Sequence, residues 1–464
     1  MPERSSASPS AFARKGLLRL SWPLLVITVL TLLATLGNVV LLSAASPELN
    51  AAVASANQLL GVLYDISVLF SLGALVIITQ QLGAGDLVGA RRSSSISLRA
   101  SSILGLAMAV AIGALAPHLL RLINTPAEII DDATAYLWIV AFGLAFNAYI
   151  VAASAVLRAY GRTVALLVLG TVVNLLDVSL LAVFLLVLDL GAVGAALPTL
   201  IVRGIGVIIL AFMVRRRTGA TLFGPLPAAG TGRAAWTMAR LSIPTVLESA
   251  AYNVVIVAVV ASMNLLGTDA INARSYALTL TALVTGVILA FAQGNETIVG
   301  WDVGGRTSAH ARRQTLRTAA GTAIAAAVLA ALLWLGAEPA LAIFGVNDAV
   351  LAQARDALLI SILLLPLSAV TSVVYGALRS AGDVVMPMLY SIGASAIVLL
   401  PLSLVLVPAW GVAGVFWALV AGEAVRAALL LARWIRGSWQ RIAPLTGSGQ
   451  AAPSSPDAAP ATTA

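Results

Sequence analysis

The sequence predicts an all-α polytopic membrane protein, with twelve transmembrane helices in two pseudo-symmetric six-helix bundles. Three observations predict it. First, 60% of the 464 residues are hydrophobic and only 10% are charged, against about 25% charged in a soluble domain. Second, the apolar residues fall into twelve runs, each long enough to cross a bilayer. Third, short motifs of the first half return in the second half at one constant offset. A soluble enzyme, a nucleic-acid binder and a disordered chain are excluded by this composition. The net charge of +8 does not point to nucleic acid, because the basic residues lie in short loops between apolar runs.

A hydrocarbon core about 30 Å thick takes roughly 20 apolar residues in a helix. The runs lie at about 17–45, 52–82, 96–122, 129–157, 163–188 and 191–214, then 236–265, 270–300, 313–343, 350–378, 384–408 and 411–435. The first run is too long for a cleavable signal peptide. This divides the chain into an N-terminal lobe (1–214), a cytoplasmic linker (215–235), a C-terminal lobe (236–436) and a tail (437–464). The tail is rich in Pro, Ala and Ser and is expected to be disordered and cytoplasmic.

Arginine sets the orientation. With the N-terminus in the cytoplasm, the cytoplasmic segments hold Arg4, Arg14, Lys15 and Arg19, then Arg91, Arg92 and Arg99, then Arg158 and Arg162. They also hold Arg215, Arg216, Arg217, Arg233 and Arg240, then Arg306, Arg312, Arg313, Arg317 and Arg379, and finally Arg433, Arg436 and Arg441. The opposite side has Arg121, Arg274 and Arg355, and Arg203 and Arg426 fall inside apolar runs. Both termini are therefore expected in the cytoplasm of a plasma (inner) membrane protein.

The repeat has three anchors. Arg19-Leu-Ser-Trp-Pro23 returns as Arg240-Leu-Ser-Ile-Pro244, and Leu157-Arg158-Ala-Tyr-Gly161 as Leu378-Arg379-Ser-Ala-Gly382, both 221 residues on. GAVGAA from Gly191 returns as GVAGVF from Gly411, 220 residues on. Six helices per half start both halves on the same face, so the pseudo-two-fold runs along the membrane normal, as in transporters that rock one bundle against the other. No Walker A sequence and no Cys are present, and the two His, His118 and His310, stand far apart. No cofactor or metal is expected, and no catalytic residue: the chain reads as a carrier, not an enzyme.

Ionisable residues inside a membrane span cost about 2.5–3.5 kcal/mol on insertion scales and are usually interior. Asp65, Asp177, Glu248, Glu296 and Glu423 stand within the runs, with Arg203 and Arg426. Asn174 precedes Asp177 by three residues, so both share a helical face, and an amide there can orient the carboxylate. Tyr252 and Asn253 follow Glu248. Glu296, beside Gln293 and Asn295, reads either as a gate or as a loop anchor. Glu423 and Arg426, three apart, read either as a neutralised pair or as a charged cavity lining. Phe146, Tyr149, Tyr252, Met263 and Phe291 are available as an apolar lining. Pro23, Pro244, Pro366 and Pro401 can kink their helices.

SLGALVIITQQLGAGDLVGARRSS (71–94), the paired RLSWP and RLSIP starts, the LRAYG and LRSAG ends, and AQGNETIVGWDVGG (292–305) together resemble the MATE (multidrug and toxic compound extrusion) family over residues 15–436. The segment from Gly83 to Arg92 also resembles a loop of the major facilitator superfamily, but Leu87 stands where that loop carries a basic residue. The MATE resemblance implies an N-lobe ion site built from Asn174 and Asp177 with a first-helix Asp fifteen residues after the helix Pro. Counting from Pro23 lands on Asn38, which does not titrate, and Asp65 is a substitute carrier. It also implies a C-lobe site with Glu248, whose usual partner in the tenth helix is missing: only Asp356, near the outer start, is acidic. The coupling ion expected is therefore H⁺ rather than Na⁺. The expectation is a monomeric rocker-switch antiporter exporting small cationic amphipaths, with ion coupling at Asp177, Asn174, Asn38, Asp65 and Glu248. Tyr149, Tyr252, Asn253, Glu296, Arg203 and Glu423 are expected to line the substrate cavity. A lipid flippase with an Arg-lined cavity is the alternative that Arg203 and Arg426 leave open.

Overall fold

The computed structural model describes residues 16–122, 125–224, 230–342 and 346–442. Among these, every regular element is a helix. The first lobe has α1 (Leu17–Ala45), then α2 in two segments (Pro47–Ser67 and Ser71–Gly83), then α3 (Leu87–Leu122) and α4 (Ile130–Ala159). It closes with α5 (Thr163–Ala182, then a π-helical Val183–Val187) and α6 (Gly191–Thr218). The second lobe has α7 (Thr231–Met263), α8 (Thr268–Gly304), α9 (Ser308–Leu335) and α10 (Asp348–Ser380). Its last two spans, α11 (385–410) and α12 (412–436), form one 52-residue helical stretch bent at Gly411.

Two local features shape these helices. α2 breaks where the backbone tightens into turns, Leu69 N–H donating to the Ile66 carbonyl and Ser71 N–H to that of Val68, both at 3.0 Å. Ser67 Oγ donates to the Leu63 carbonyl and Ser71 Oγ to that of Val68, both at 2.9 Å, which competes with the helical ladder. Gly191 before α6 (φ +54°) and Gly411 before α12 (φ +58°) share a positive φ that other residues adopt only with strain. They are repeat equivalents.

The helices outrun the hydropathy. α3 starts at Leu87 rather than 96, and α7 at Thr231 rather than 236, because their first turns carry Arg beyond the apolar core. The lobe boundaries shift accordingly: α6 runs to Thr218, past the expected 214. The first residues of the tail expected to be disordered are ordered: Ser438–Arg441 forms a 3₁₀ turn with Trp439 stacked 4.4 Å from Trp434. The rest of that tail from 443, residues 225–229 of the linker, and Arg4, Arg14 and Lys15 lie outside the described residues.

The lobes join in one half of the molecule and part in the other. In the Arg-rich half a single core unites Leu20, Leu75, Ile78 and Leu82 with Met238, Ala290, Ile298 and Trp301. In the opposite half each lobe buries its own core, Leu42, Leu60, Leu137 and Leu181 in the first and Val259, Leu358, Leu399 and Phe416 in the second.

The joined half obeys the repeat, like the isologous interface of a two-fold dimer. Gln80 Nε2 donates to the Ser380 carbonyl at 2.8 Å, and Trp301 Nε1, 221 residues on, donates to the Ala159 carbonyl at 2.9 Å. A Cβ on Gly83 would fall 2.0 Å from the Trp301 carbonyl oxygen, and one on Gly304 would fall 1.9 Å from that of Gln80. Gly73 meets the Met238 backbone just as closely, and its N–H donates to Ser242 Oγ at 2.8 Å. Its equivalent Gly294 abuts Ser21. Backbone lies on backbone, and only glycine permits it.

One carboxylate breaks this symmetry. Glu296, 1% exposed, accepts from Arg379 Nε at 2.8 Å and lies 3.9 Å from Arg158 Nη2 of the other lobe. The two arginines are repeat equivalents, but the equivalent of Glu296 is Leu75. Arg158 also donates to Gln293, and Ser380 Oγ donates to the Glu296 carbonyl at 2.6 Å.

Two outcomes follow. Glu296→Leu, which restores the repeat, leaves two buried guanidinium groups facing each other. It should lower unfolding stability in detergent by about 3–5 kcal/mol, the cost of breaking a buried pair from one side; an unchanged midpoint would show that the pair carries no weight. Gly83→Ala should part the joined half, since its Cβ has no space. Nitroxide labels on Arg162→Cys and Arg306→Cys, in this cysteine-free chain, should then report longer distances than in the parent. Identical distributions would refute the close approach.

Candidate functional site

Asp177 is the centre of the first lobe. Residues of helical spacing on α1, α5 and α6 bring Asn38, Asp177 and Thr199 together. Asn38 Nδ2 donates to Asp177 Oδ2 at 2.8 Å, and Thr199 Oγ1 lies 3.5 Å from Oδ1. Tyr136 on α4 donates to Asn57 Oδ1 on α2 at 3.5 Å. These side chains line a cavity of about 150 Å³ with Thr35, Val53 and Leu181. The Asn38 carbonyl oxygen is buried there with no donor of its own.

Asn174, expected to orient Asp177, does not. Its amide donates to Thr31 Oγ1 on α1 at 3.0 Å, and Asn38 supplies the amide instead. A three-residue spacing shares a face but turns the second side chain about 60° away, which suffices here to aim it at another part of α1. Asp65 is half-buried near the α2 break and has no hydrogen-bond or ion-pair partner among the described residues. It is not part of the Asp177 cavity wall.

The second lobe has a charged centre. Arg426 Nη2 meets Glu248 Oε1 at 2.5 Å, and Nη1 meets Glu423 Oε1 at 3.4 Å. The Glu423–Arg426 pairing foreseen from spacing is present, but Glu248 of α7 is the closer partner. The Tyr375 ring lies between Arg426 and Arg379, whose guanidinium carbons stand 5.6 and 5.7 Å from its centroid. A polar chain thus runs from Glu296 through Arg379 and Tyr375 to Arg426. Neither centre is repeated: the equivalents of Asn38 and Asp177 are Val259 and Val398, and that of Glu248 is Ile27.

Other expected lining residues scatter. Tyr149 is packed in the united core, 3% exposed, and Met263 in the core of the second lobe. Tyr252 and Asn253 are exposed on α7. Glu296 is sealed in the lobe junction, a closure element rather than a lining. Sequence reading missed Tyr64, Tyr136, Thr199 and Tyr375, which carry no charge to mark them. It also missed that Arg158 and Arg379 converge, although their shared repeat position was a usable signal. Among the described residues no cluster of three His, Cys, Asp or Glu is arranged for a metal.

The MatE family profile matches residues 23–183 and 244–405, one copy per lobe. YisQ of Bacillus subtilis, described as an uncharacterised transporter, is 25% identical over 91% of this chain and 94% of its own length. NorM of Thermotoga maritima, described as a probable multidrug resistance protein, is 24% identical over 93% of this chain and 94% of its own. Among solved structures, a variant of the Vibrio cholerae MATE transporter VcmN has a TM-score of 0.86 at 19% identity, covering 94% of this chain and all of that one. A MOP superfamily transporter from Pyrococcus furiosus has a TM-score of 0.85 at 18% identity, over 95% of this chain and all of that one. The structural likenesses establish the fold, including its twelve transmembrane helices. The family profile, spanning both lobes, establishes that this chain belongs to the MatE family of membrane transporters.

Proposed function

We propose that this transporter exports small amphipathic cations in exchange for protons, with Asp177 as the exchanging group. One observation carries the reading. Glu248, Glu296 and Glu423 each lie within 4.0 Å of an arginine, whereas Asp177 is held only by an amide and a hydroxyl. A carboxylate already paired with a guanidinium has little use for a second cation. One held by neutral donors in a low-dielectric cavity binds a proton or an organic cation, and not both at once. The orphan Asn38 carbonyl beside it accepts from the ammonium of a substrate or from the proton on Asp177. Asn38 therefore serves as a neutral partner where family resemblance calls for an acid, and within this cavity the proton load falls on Asp177.

The Arg-rich half faces the cytoplasm by the distribution of positive charge, with both termini on that side of the plasma membrane. The separated cores of the opposite half then make this an outward-open state. Protonation of Asp177 from outside displaces the cation; the outer half then closes, the cytoplasmic junction parts, and the proton leaves inward. Glu248 and Glu423 share Arg426, and the three serve as a structural centre. This removes Arg426 from an Arg-lined lipid pathway, and the lipid-flipping alternative keeps Arg203 alone.

The test is efflux of a fluorescent cation from proteoliposomes under an imposed pH gradient. Asp177→Asn should abolish gradient-driven efflux while leaving the protein folded. Asn38→Ala, which removes one hydrogen bond to a carboxylate worth about 1.5–3 kcal/mol, should shift the pH dependence of transport without abolishing it. Full-rate efflux by Asp177→Asn would refute the reading. Coupling to a sodium gradient at constant pH would replace the ion.

A further inference from the structure

Arg203 lies on α6 inside the first lobe with no carboxylate within 4.0 Å among the described residues. Its Nη2 donates to Tyr64 Oη at 2.7 Å, and its guanidinium carbon stands 5.1 Å from the Tyr64 ring centroid. Its Nη1 is buried and has no hydrogen-bond partner. Arg158, Arg379 and Arg426, buried at other helix crossings, all reach carboxylates. A guanidinium keeps its charge in a protein, so one left without a counter-ion in apolar surroundings is costly. The fold nonetheless makes room for it: a Cβ on Gly143 of α4 would stand 3.2 Å from Nη1.

The position is informative. Arg203 follows Thr199 by one turn on the same face of α6, about 6 Å along the axis. Tyr64 follows Asn57 by two turns on α2. Thr199, Asn57 and Tyr136 line the Asp177 cavity. The first lobe thus stacks an acid above a base, with the base one turn beyond that cavity on the Arg-rich side and its unpartnered N–H against Gly143 of α4.

We propose that Arg203 is an anion-binding subsite, which takes a carboxylate or phosphate group of the transported molecule while its cationic end lies toward Asp177. The substrate class is then amphipathic zwitterions with charges about one helical turn apart. This deepens the antiport reading above and rests on it.

Rhodamine B, a zwitterion with a free carboxylate, and its cationic ethyl ester form a matched pair of probes. Their binding is measured by fluorescence anisotropy with the full chain in nanodiscs of phosphatidylcholine. Wild type should prefer the acid. Arg203→Gln should weaken the acid by about tenfold or more, the loss of a hydrogen bond to a charged group, and the ester much less, with Arg203→Lys in between. Gly143→Ala, which crowds Nη1 from α4, should lower the acid preference in the same direction and gives the readout if Arg203→Gln fails to fold. Equal weakening of both probes, or an unchanged preference in Gly143→Ala and Arg203→Gln, overturns the proposal. If phosphatidylglycerol added to the nanodiscs competes with rhodamine B in wild type but not in Arg203→Gln, the anion is a lipid headgroup and the substrate assignment falls. Proton-driven efflux of the ester by wild type tests the antiport reading separately. Efflux of the ester without any acid preference in wild type overturns this inference and leaves antiport standing.

Discussion

Contact of backbone with backbone at the lobe junction is the constraint on which the rest depends. Gly83 and Gly304 each press against a carbonyl of the other lobe, and Gln80 and Trp301 clasp the helix ends at Ser380 and Ala159. Such a junction is either fully made or not made, because a carbonyl against a glycine tolerates little sliding. Gly73, Gly83 and Gly304 meet backbone of the other lobe and Gly294 meets the Ser21 hydroxyl, so the junction is held by contacts too close for a side chain at any of the four positions.

Within this symmetric frame the functional groups are asymmetric. The repeat copies the junction faithfully and abandons the membrane interior: Asn38 against Val259, Asp177 against Val398, Glu248 against Ile27, Arg203 against Glu423, Glu296 against Leu75. The first lobe keeps an acid and a base unpaired with each other. The second ties its charges into one network, Glu248–Arg426–Glu423, reaching through Tyr375 and Arg379 to the junction at Glu296. Charges tied to one another hold their helices together, and an unpaired one is responsive. On the proposed reading, the first lobe carries the exchanging acid and the second carries the paired charges.

Much of this was legible before any coordinates. Hydropathy located the spans because a bilayer imposes a length on apolar helices, and three short motifs fixed the repeat. Helix ends differ from the apolar runs where Arg91 and Arg92 or Arg233 prolong a helix past the apolar core. The Asn38–Asp177 contact is what the MATE resemblance implies, since it puts the residue fifteen positions after Pro23 in the ion site, and the Glu423–Arg426 pair follows from its three-residue spacing. The role of Asn174 was not legible, since sharing a face does not say which neighbour lies across it. Tyr64, Tyr136 and Thr199 escaped notice because an uncharged residue in an apolar run gives no periodic signal. Glu296 was marked as important but placed in a cavity. Pairing Arg158 with Arg379 by the repeat offset would have located it in the junction.

Proton release on ligand binding tests the central claim most directly. Purified protein in weakly buffered detergent, mixed with a saturating cationic fluorophore and a pH indicator, should release one proton per cation bound at a pH where Asp177 is protonated in the free protein. The same mixture with Asp177→Asn should release none. Cation binding by the wild-type protein without proton release at any pH between 5 and 9 would contradict the account.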